Sequence, residues 1–245
     1  MRTRTLAWDG CLNVRDLGGH ATEDGATTRW GSVIRADSVR ALTDAGWGSL
    51  VAHGVGTIVD LRSHGELAAD PPQDTPVQVV HVSVLPEQGD PVWAELDVAA
   101  ADAETEKELF YVEWLRRWGD RFAAAVAAVA HAPAAPVVVH CQVGKDRTGL
   151  VAALLLRLAG VSADDIATDY ALSSVNLEPQ NRPWVAEAPD DVERERRRRL
   201  VATPAASMLG VLVAVEREHG SAAGFLCANG LSDETIARAR SRLRQ

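Results

Sequence analysis

The sequence predicts an α/β fold: a central, mostly parallel sheet flanked by helices, with a helix-rich C-terminal third. Three observations carry this prediction. Short β-branched runs alternate with helical periodicity over the first 160 residues. A four-residue apolar run, Pro-Val-Val-Val at 136–139, leads through a tight polar loop straight into an apolar helix that stops at Gly160. From residue 162 onward the pattern reads as helix after helix.

Taken in order, residues 32–36 (SVIRA), 56–61 (GTIVDL) and 77–84 (VQVVHVSV) read as strands. Between the first two, residues 43–53 look helical, with Trp47, Leu50 and Val51 on one side and Gly54 as the stop. Pro71, Pro72, Pro76, Pro86 and Pro91 punctuate residues 69–92, so no long element fits there. A long helix is predicted over 104–131, because Leu109, Val112, Leu115, Trp118, Phe122, Val126 and Val129 recur at steps of three or four. The C-terminal third is read as helices at 162–172, 190–200, 204–219 and 232–244, packed around the sheet, with no internal repeat.

The 245 residues suit one elaborated domain spanning 1–245. The longest apolar run, 151–158, is interrupted by Arg157 and falls short of the roughly 20 residues of a membrane span. MRTRTLAWDG carries two arginines with no apolar run behind them, so no secretory signal is read and the cytoplasm is the default compartment. A formal net charge of −9 argues against non-specific nucleic-acid binding, which needs clustered cations. Cys11, Cys141 and Cys227 form neither a disulfide framework nor a zinc spacing. Cys11 and Cys227 read as small buried hydrophobes. Of 25 basic residues only Lys107 and Lys145 are lysines.

The chemistry concentrates where the 136–139 strand ends. Cys141 and Arg147 are separated by five residues, with His140 before and Thr148 after. A loop of that length lets backbone N–H groups converge on one centre at a helix start, which makes an anion cradle. Gly144 allows the turn where a Cβ would clash. Arg147 offers a planar fork for two phosphate oxygens. Cys141, beside the helix N-terminus and Arg147, is placed to hold a thiolate and attack a bound phosphorus atom.

The segment His-Cys-Gln-Val-Gly-Lys-Asp-Arg-Thr-Gly, residues 140–149, resembles the phosphate-binding loop of the cysteine-dependent protein tyrosine phosphatases. With Asn13-Val-Arg-Asp-Leu-Gly-Gly19, Arg35-Ala-Asp-Ser38, Val59-Asp-Leu-Arg-Ser63 and the stretch 220–231, it is similar in particular to the bacterial tyrosine phosphatase B-like family. Members of that family act on phosphotyrosine, often on other phosphoresidues, and on phosphoinositides. The resemblance implies a tyrosine phosphatase-like fold, Cys141 as nucleophile and Arg147 as phosphate clamp. It also implies backbone donors from Gln142, Val143, Gly144, Lys145, Asp146 and Arg147, and a Thr148 hydroxyl that assists the thiolate.

A leaving-group acid is required on chemical grounds. The Trp-Pro-Asp loop that many tyrosine phosphatases use for this is absent. Two candidates stand. Asp60 emerges on the same edge as Cys141 if its strand is parallel to 137–139, and Asp146 lies within the loop, where it can instead pair with Lys145 or Arg147. Lys145, in a chain that otherwise uses arginine, reads as a contact for substrates with a second negative group. His140 reads as orienting the loop. Arg15 and Asp16 read either as support for the loop or as a turn pair. The Arg194-to-Arg199 cluster reads as a solvated helix face or as part of a cationic lid within about 165–200, since the family is known for helices that cover its site.

The reading is a phosphomonoester hydrolase with a cysteinyl-phosphate intermediate and neither metal nor cofactor. Its partners are a phosphoprotein or phosphoinositide substrate and inorganic phosphate as product, with no nucleic acid and no integral membrane association. Two other readings share the loop: a phospho-ligand binding module without turnover, and a rhodanese-like sulfurtransferase.

Overall fold

The computed structural model describes residues 2–71, 75, 77–87, 89–93 and 106–244. Its five-stranded sheet has the order β1-β2-β5-β3-β4. β2 (Val33–Ala36), β5 (Val137–His140), β3 (Thr57–Asp60) and β4 (Gln78–His81) run parallel, and the two-residue β1 (Arg15–Asp16) joins β2 antiparallel. The mostly parallel sheet is as predicted. β1 is too short to leave a sequence signal, and the predicted strand over 77–84 is trimmed to four residues.

Strand alternation sorts the side chains. Val137 and Val139 of β5, Val33 of β2 and Val59 of β3 enter the larger apolar core, whereas Val138, Ile34 and Ile58 enter a smaller one with Trp8, Leu42 and Leu50. That parity matters for function. It puts Arg35 on the larger-core side, and His140 and Asp60, aligned in register, on the other.

The helices follow their caps. α1 (Asp44–Ala52) starts at Thr43, whose side chain accepts from the Gly46 amide. α2 (His64–Ala69) opens with a capping box between Ser63 and Glu66. α3 (Glu106–His131) is the long helix predicted, interrupted at Trp118 by non-helical backbone; the predicted start at 104 lies outside the described residues, as do Pro72 and Pro76. α4 (Asp146–Leu158) is buried almost all round, as a helix central to a core should be.

α5 (Ala163–Asn176), α7 (Asp191–Val201), α8 (Ala205–His219) and α10 (Asp233–Leu243) are the four predicted C-terminal helices, each within four residues of its expected ends. α6 (Glu178–Ala186) and α9 (Ala222–Ala228) were not predicted. Two prolines disguise α6, yet Pro179 sits in its first turn, where no N–H is needed. Among the described residues no single helix is long and apolar enough to cross a membrane.

Candidate active site

Cys141 leaves the end of the central strand and is 1% exposed. Ligands of parallel α/β sheets bind at that edge. The loop from Cys141 to Lys145 then runs into the N-terminus of α4. Its carbonyls are held from outside. Ser38 N–H donates to the Gln142 carbonyl (3.1 Å), Asn13 Nδ2 to those of Val143 (3.3 Å) and Gly144 (3.0 Å), and the Arg35 guanidinium to those of Gly144 (2.8 Å) and Lys145 (3.4 Å). The N–H groups of Gln142, Val143, Gly144 and Lys145 find no acceptor among the described residues. They continue into the first N–H groups of α4, which no helix can satisfy internally. Gly144 adopts φ +64°, and a Cβ there would lie 2.2 Å from the Ala36 carbonyl oxygen, so the loop requires glycine twice over.

Behind the loop lies a buried charge cluster. Arg15 donates to both carboxylate oxygens of Asp169 (2.9 and 3.2 Å), and Arg35 to Oδ2 (2.8 Å). Arg15 also bonds Asn13 Oδ1 (2.6 Å), closing a circuit back to the loop. Burial works against the Asp169 charge, but Arg15 and Arg35 outweigh it and hold the carboxyl well below its usual range. Burial, followed by repulsion from Arg15, pulls Arg35 down to about 10. Two guanidiniums and one carboxylate leave one unit of positive charge under the loop. Arg15 therefore does support the loop, while its neighbour Asp16 closes a turn by accepting from the Gly18 (2.8 Å) and Gly31 (2.7 Å) amides.

In front of the loop, Arg147 forks onto Glu66, with NH1 2.5 Å from Oε2 and NH2 2.8 Å from Oε1. Burial opposes the Arg147 charge and the Glu66 bonds more than restore it; burial likewise raises Glu66 and Arg147 brings it below its normal range. Glu66 was not foreseen. Its capping box with Ser63 is visible in sequence, but nothing local links it to an arginine 81 residues away.

Asp146 accepts a hydrogen bond from the Tyr111 hydroxyl at Oδ1, and its Oδ2 lies 3.6 Å from Lys145 Nζ. The Lys145 ammonium donates to the Leu200 carbonyl (2.6 Å) at the end of α7, so it faces that helix rather than open solvent. Lys107 donates to the carbonyls of Arg199 (3.3 Å), Leu200 (3.0 Å) and Ala202, so both lysines of the chain converge on one helix end. The arginines of α7 mostly pair with acids one turn away, including Arg197 with Glu193 (2.8 Å) and Arg199 with Glu195 (3.3 Å).

Asp60 does emerge at the same sheet edge as Cys141, level with His140, but its carboxylate is filled. Arg62 donates to it from Nε (3.1 Å), NH2 (2.8 Å) and its own amide (3.0 Å), and His140 Nε2 is 3.6 Å away. Burial raises the Asp60 carboxyl; the Arg62 bonds and His140 overcome it and leave it below its usual value. His140 Nδ1 donates to the Cys141 carbonyl (3.0 Å), and burial lowers its pKa despite Asp60. Thr148 is fully buried with no hydrogen-bond partner at Oγ1 among the described residues. The other two cysteines divide: Cys11 is part-buried, but Cys227 is exposed, contrary to expectation, because its face of α9 is not packed.

Similarity to known proteins agrees with this geometry. A tyrosine-protein phosphatase of Nostoc commune is 30% identical over 229 residues, covering 86% of this chain and 74% of its own. The triple specificity protein phosphatase PtpB of Mycobacterium tuberculosis is 27% identical over 272 residues, covering 94% and 96%. A putative tyrosine-protein phosphatase of Cupriavidus necator is 31% identical over 175 residues, covering 69% and 63%. The family model described as the tyrosine phosphatase family matches residues 6–245, and the chain belongs to that family.

Proposed function

We propose that the chain, as a single phosphatase domain, hydrolyses phosphotyrosine and further phosphomonoesters, phosphoinositides among them, through a cysteinyl-phosphate intermediate. The observation that carries the reading is the arc of N–H groups from Gln142 into α4 that find no acceptor among the described residues, with Cys141 at its floor and Arg147 at its end. Hydrogen-bond donors held in place before reaction stabilise the charge of a transferring phosphoryl group. The buried surplus charge of Arg15 and Arg35 over Asp169 adds a fixed positive field.

Cys141 Sγ attacks phosphorus in line as the bond to the leaving oxygen breaks. Arg147 and the loop amides bind the equatorial oxygens, Glu66 keeping the guanidinium aligned. Asp146 gives its proton to the leaving oxygen, then takes one from the water that displaces Cys141 and frees phosphate. Asp146 suits the acid role better than Asp60 because its carboxylate is 27% exposed at the rim, whereas that of Asp60 is buried under Arg62. Asp60 instead anchors Arg62, while His140 braces the loop by donating to the Cys141 carbonyl. The Thr148 hydroxyl, without a partner among the described residues, suits a bond to the thiolate. Helix α7, reached by Lys145, forms part of a helical cover, and a second anionic group on a substrate would take over the ammonium now held by Leu200.

The test is steady-state hydrolysis of p-nitrophenyl phosphate, a phosphotyrosine peptide and a phosphoinositide panel, in EDTA, by wild type and Cys141→Ser. Turnover that survives EDTA and vanishes in the variant is expected. A folded, reduced wild type that binds vanadate but turns over nothing would make the protein a binding module. Thiocyanate release from thiosulfate and cyanide would point to the sulfurtransferase reading.

A further inference from the structure

The fold lines up the only two tyrosines of the chain, Tyr111 on α3 and Tyr170 on α5, in series behind one oxygen of Asp146. Both rings are 1% exposed, and their hydroxyl oxygens lie 2.8 Å apart. The proton count gives this chain a direction. Each phenol has one hydrogen to donate. Tyr111 spends its hydrogen on Oδ1 of Asp146, so Tyr170 must donate to Tyr111. Burial, reinforced by the Asp146 charge, raises the pKa of both phenols, so both keep their protons and the direction holds.

Gly149, which closes the loop motif, belongs to the same arrangement. A Cβ there would lie 3.1 Å from Tyr170 Cδ2 and 3.5 Å from Arg35 NH2, so the glycine lets the Tyr170 ring close over the first turn of α4. The other carboxylate oxygen, Oδ2, faces the rim beside Lys145.

We propose that Tyr111, braced by Tyr170, is a positioning residue for Asp146: by occupying Oδ1 it leaves Oδ2 as the oxygen that carries and releases the proton. The inference rests on the reading of Asp146 as general acid. An acid whose proton resides on the wrong oxygen, or whose carboxyl turns freely, loses the alignment that proton transfer needs.

The readout is kcat/KM over a series of aryl phosphates whose leaving phenols range from strongly to weakly acidic. A strongly acidic phenol departs without help, whereas phenol itself needs the proton. Asp146→Asn should therefore lose roughly 10²-fold or more on phenyl phosphate and little on dinitrophenyl phosphate. Tyr111→Phe keeps the ring and its packing. It should steepen the same dependence, losing about tenfold on phenyl phosphate and less than about twofold on the most acidic phenol, with no further loss in the Asp146→Asn background. Tyr170→Phe should shift the slope in the same direction by less, and it serves as the second variant if Tyr111→Phe folds poorly by thermal unfolding. If Asp146→Asn leaves the slope unchanged, the acid assignment fails and this proposal with it. If Asp146→Asn steepens the slope but both tyrosine variants lower all substrates alike, or none, the acid stands and the positioning role is overturned.

Discussion

Behind the Cys141–Arg147 loop, Asn13 and Arg35 grip the carbonyls of Val143, Gly144 and Lys145, and Arg15 and Asp169 fix them in turn, all buried. In front, Lys145, Asp146 and Arg147 each reach a different helix, α7, α3 and α2, through side chains between 10% and 27% exposed. The inner wall holds backbone, and the rim holds functional groups. A buried charge has no water to turn to if its partner leaves, so inner contacts are costly to break and fix shape. Rim contacts can exchange with solvent or ligand at little cost, so they set reactivity. Substitutions on the two sides should separate stability from turnover.

The largest expected effect lies on the inner wall. Asp169→Asn leaves Arg15 and Arg35 facing each other without a counter-charge, and should cost about 3–5 kcal/mol in urea unfolding. The pH dependence carries the same sign. The folded-state pKa of Asp169 lies below its unfolded value, so its contribution is full above about pH 4 and drains as pH falls toward the folded value. His140 is lowered too, so its contribution is full above about pH 6.5 and is lost on the acid side. The melting temperature of wild type should decline from near pH 6 downward, and Asp169→Asn should flatten the part of that decline in the carboxylate range. An unchanged acid limb would mean that the cluster does not support the fold.

Glu66→Gln tests the rim. Glutamine keeps an oxygen for the Ser63 amide, so the capping box survives, while the charge opposite Arg147 is lost. We expect kcat/KM to fall about tenfold, equivalent to roughly 1.4 kcal/mol of transition-state stabilisation, with an unfolding shift below about 1 kcal/mol. A variant that unfolds readily but turns over normally would erase the contrast between rim and wall.

The loop was legible because its constraints are local. Cys141, Gly144 and Arg147 act within one strand–turn–helix, so spacing alone conveys their geometry. The edge at which Asp60 emerges was readable on the condition that its strand runs parallel to the one before Cys141, and the sheet meets that condition; the exact pairing of Asp60 with His140 was not. What the sequence hid is what arrives from afar. Tyr111 and Asp169 come from helices whose periodicity reveals a buried face but not the residue it will meet, and Glu66 from a six-residue helix with no buried face to read. Asp60 illustrates the limit: its placement followed from the strand, but its capture by Arg62, two residues on, depends on burial that periodicity does not report.

The smallest effect concerns helix α7, where the two lysines divide the same helix end between wall-like and rim-like roles. Lys107 makes three carbonyl contacts and Lys145 one, and each favours the negative end of the α7 dipole. Such contacts are worth roughly 0.5–1 kcal/mol each, too little to move global unfolding but enough to change local opening about threefold. Amide exchange over residues 191–202 should therefore quicken in Lys107→Met, with the melting temperature unmoved. Inorganic phosphate should have the opposite consequence for the other lysine. If the ammonium of Lys145 transfers from Leu200 to a bound anion, phosphate should quicken exchange at the end of α7 in wild type and leave Lys145→Met unaffected. Equal responses in the two proteins would mean that Lys145 is a fixed strut of the inner kind, and that no anion at the loop competes for it.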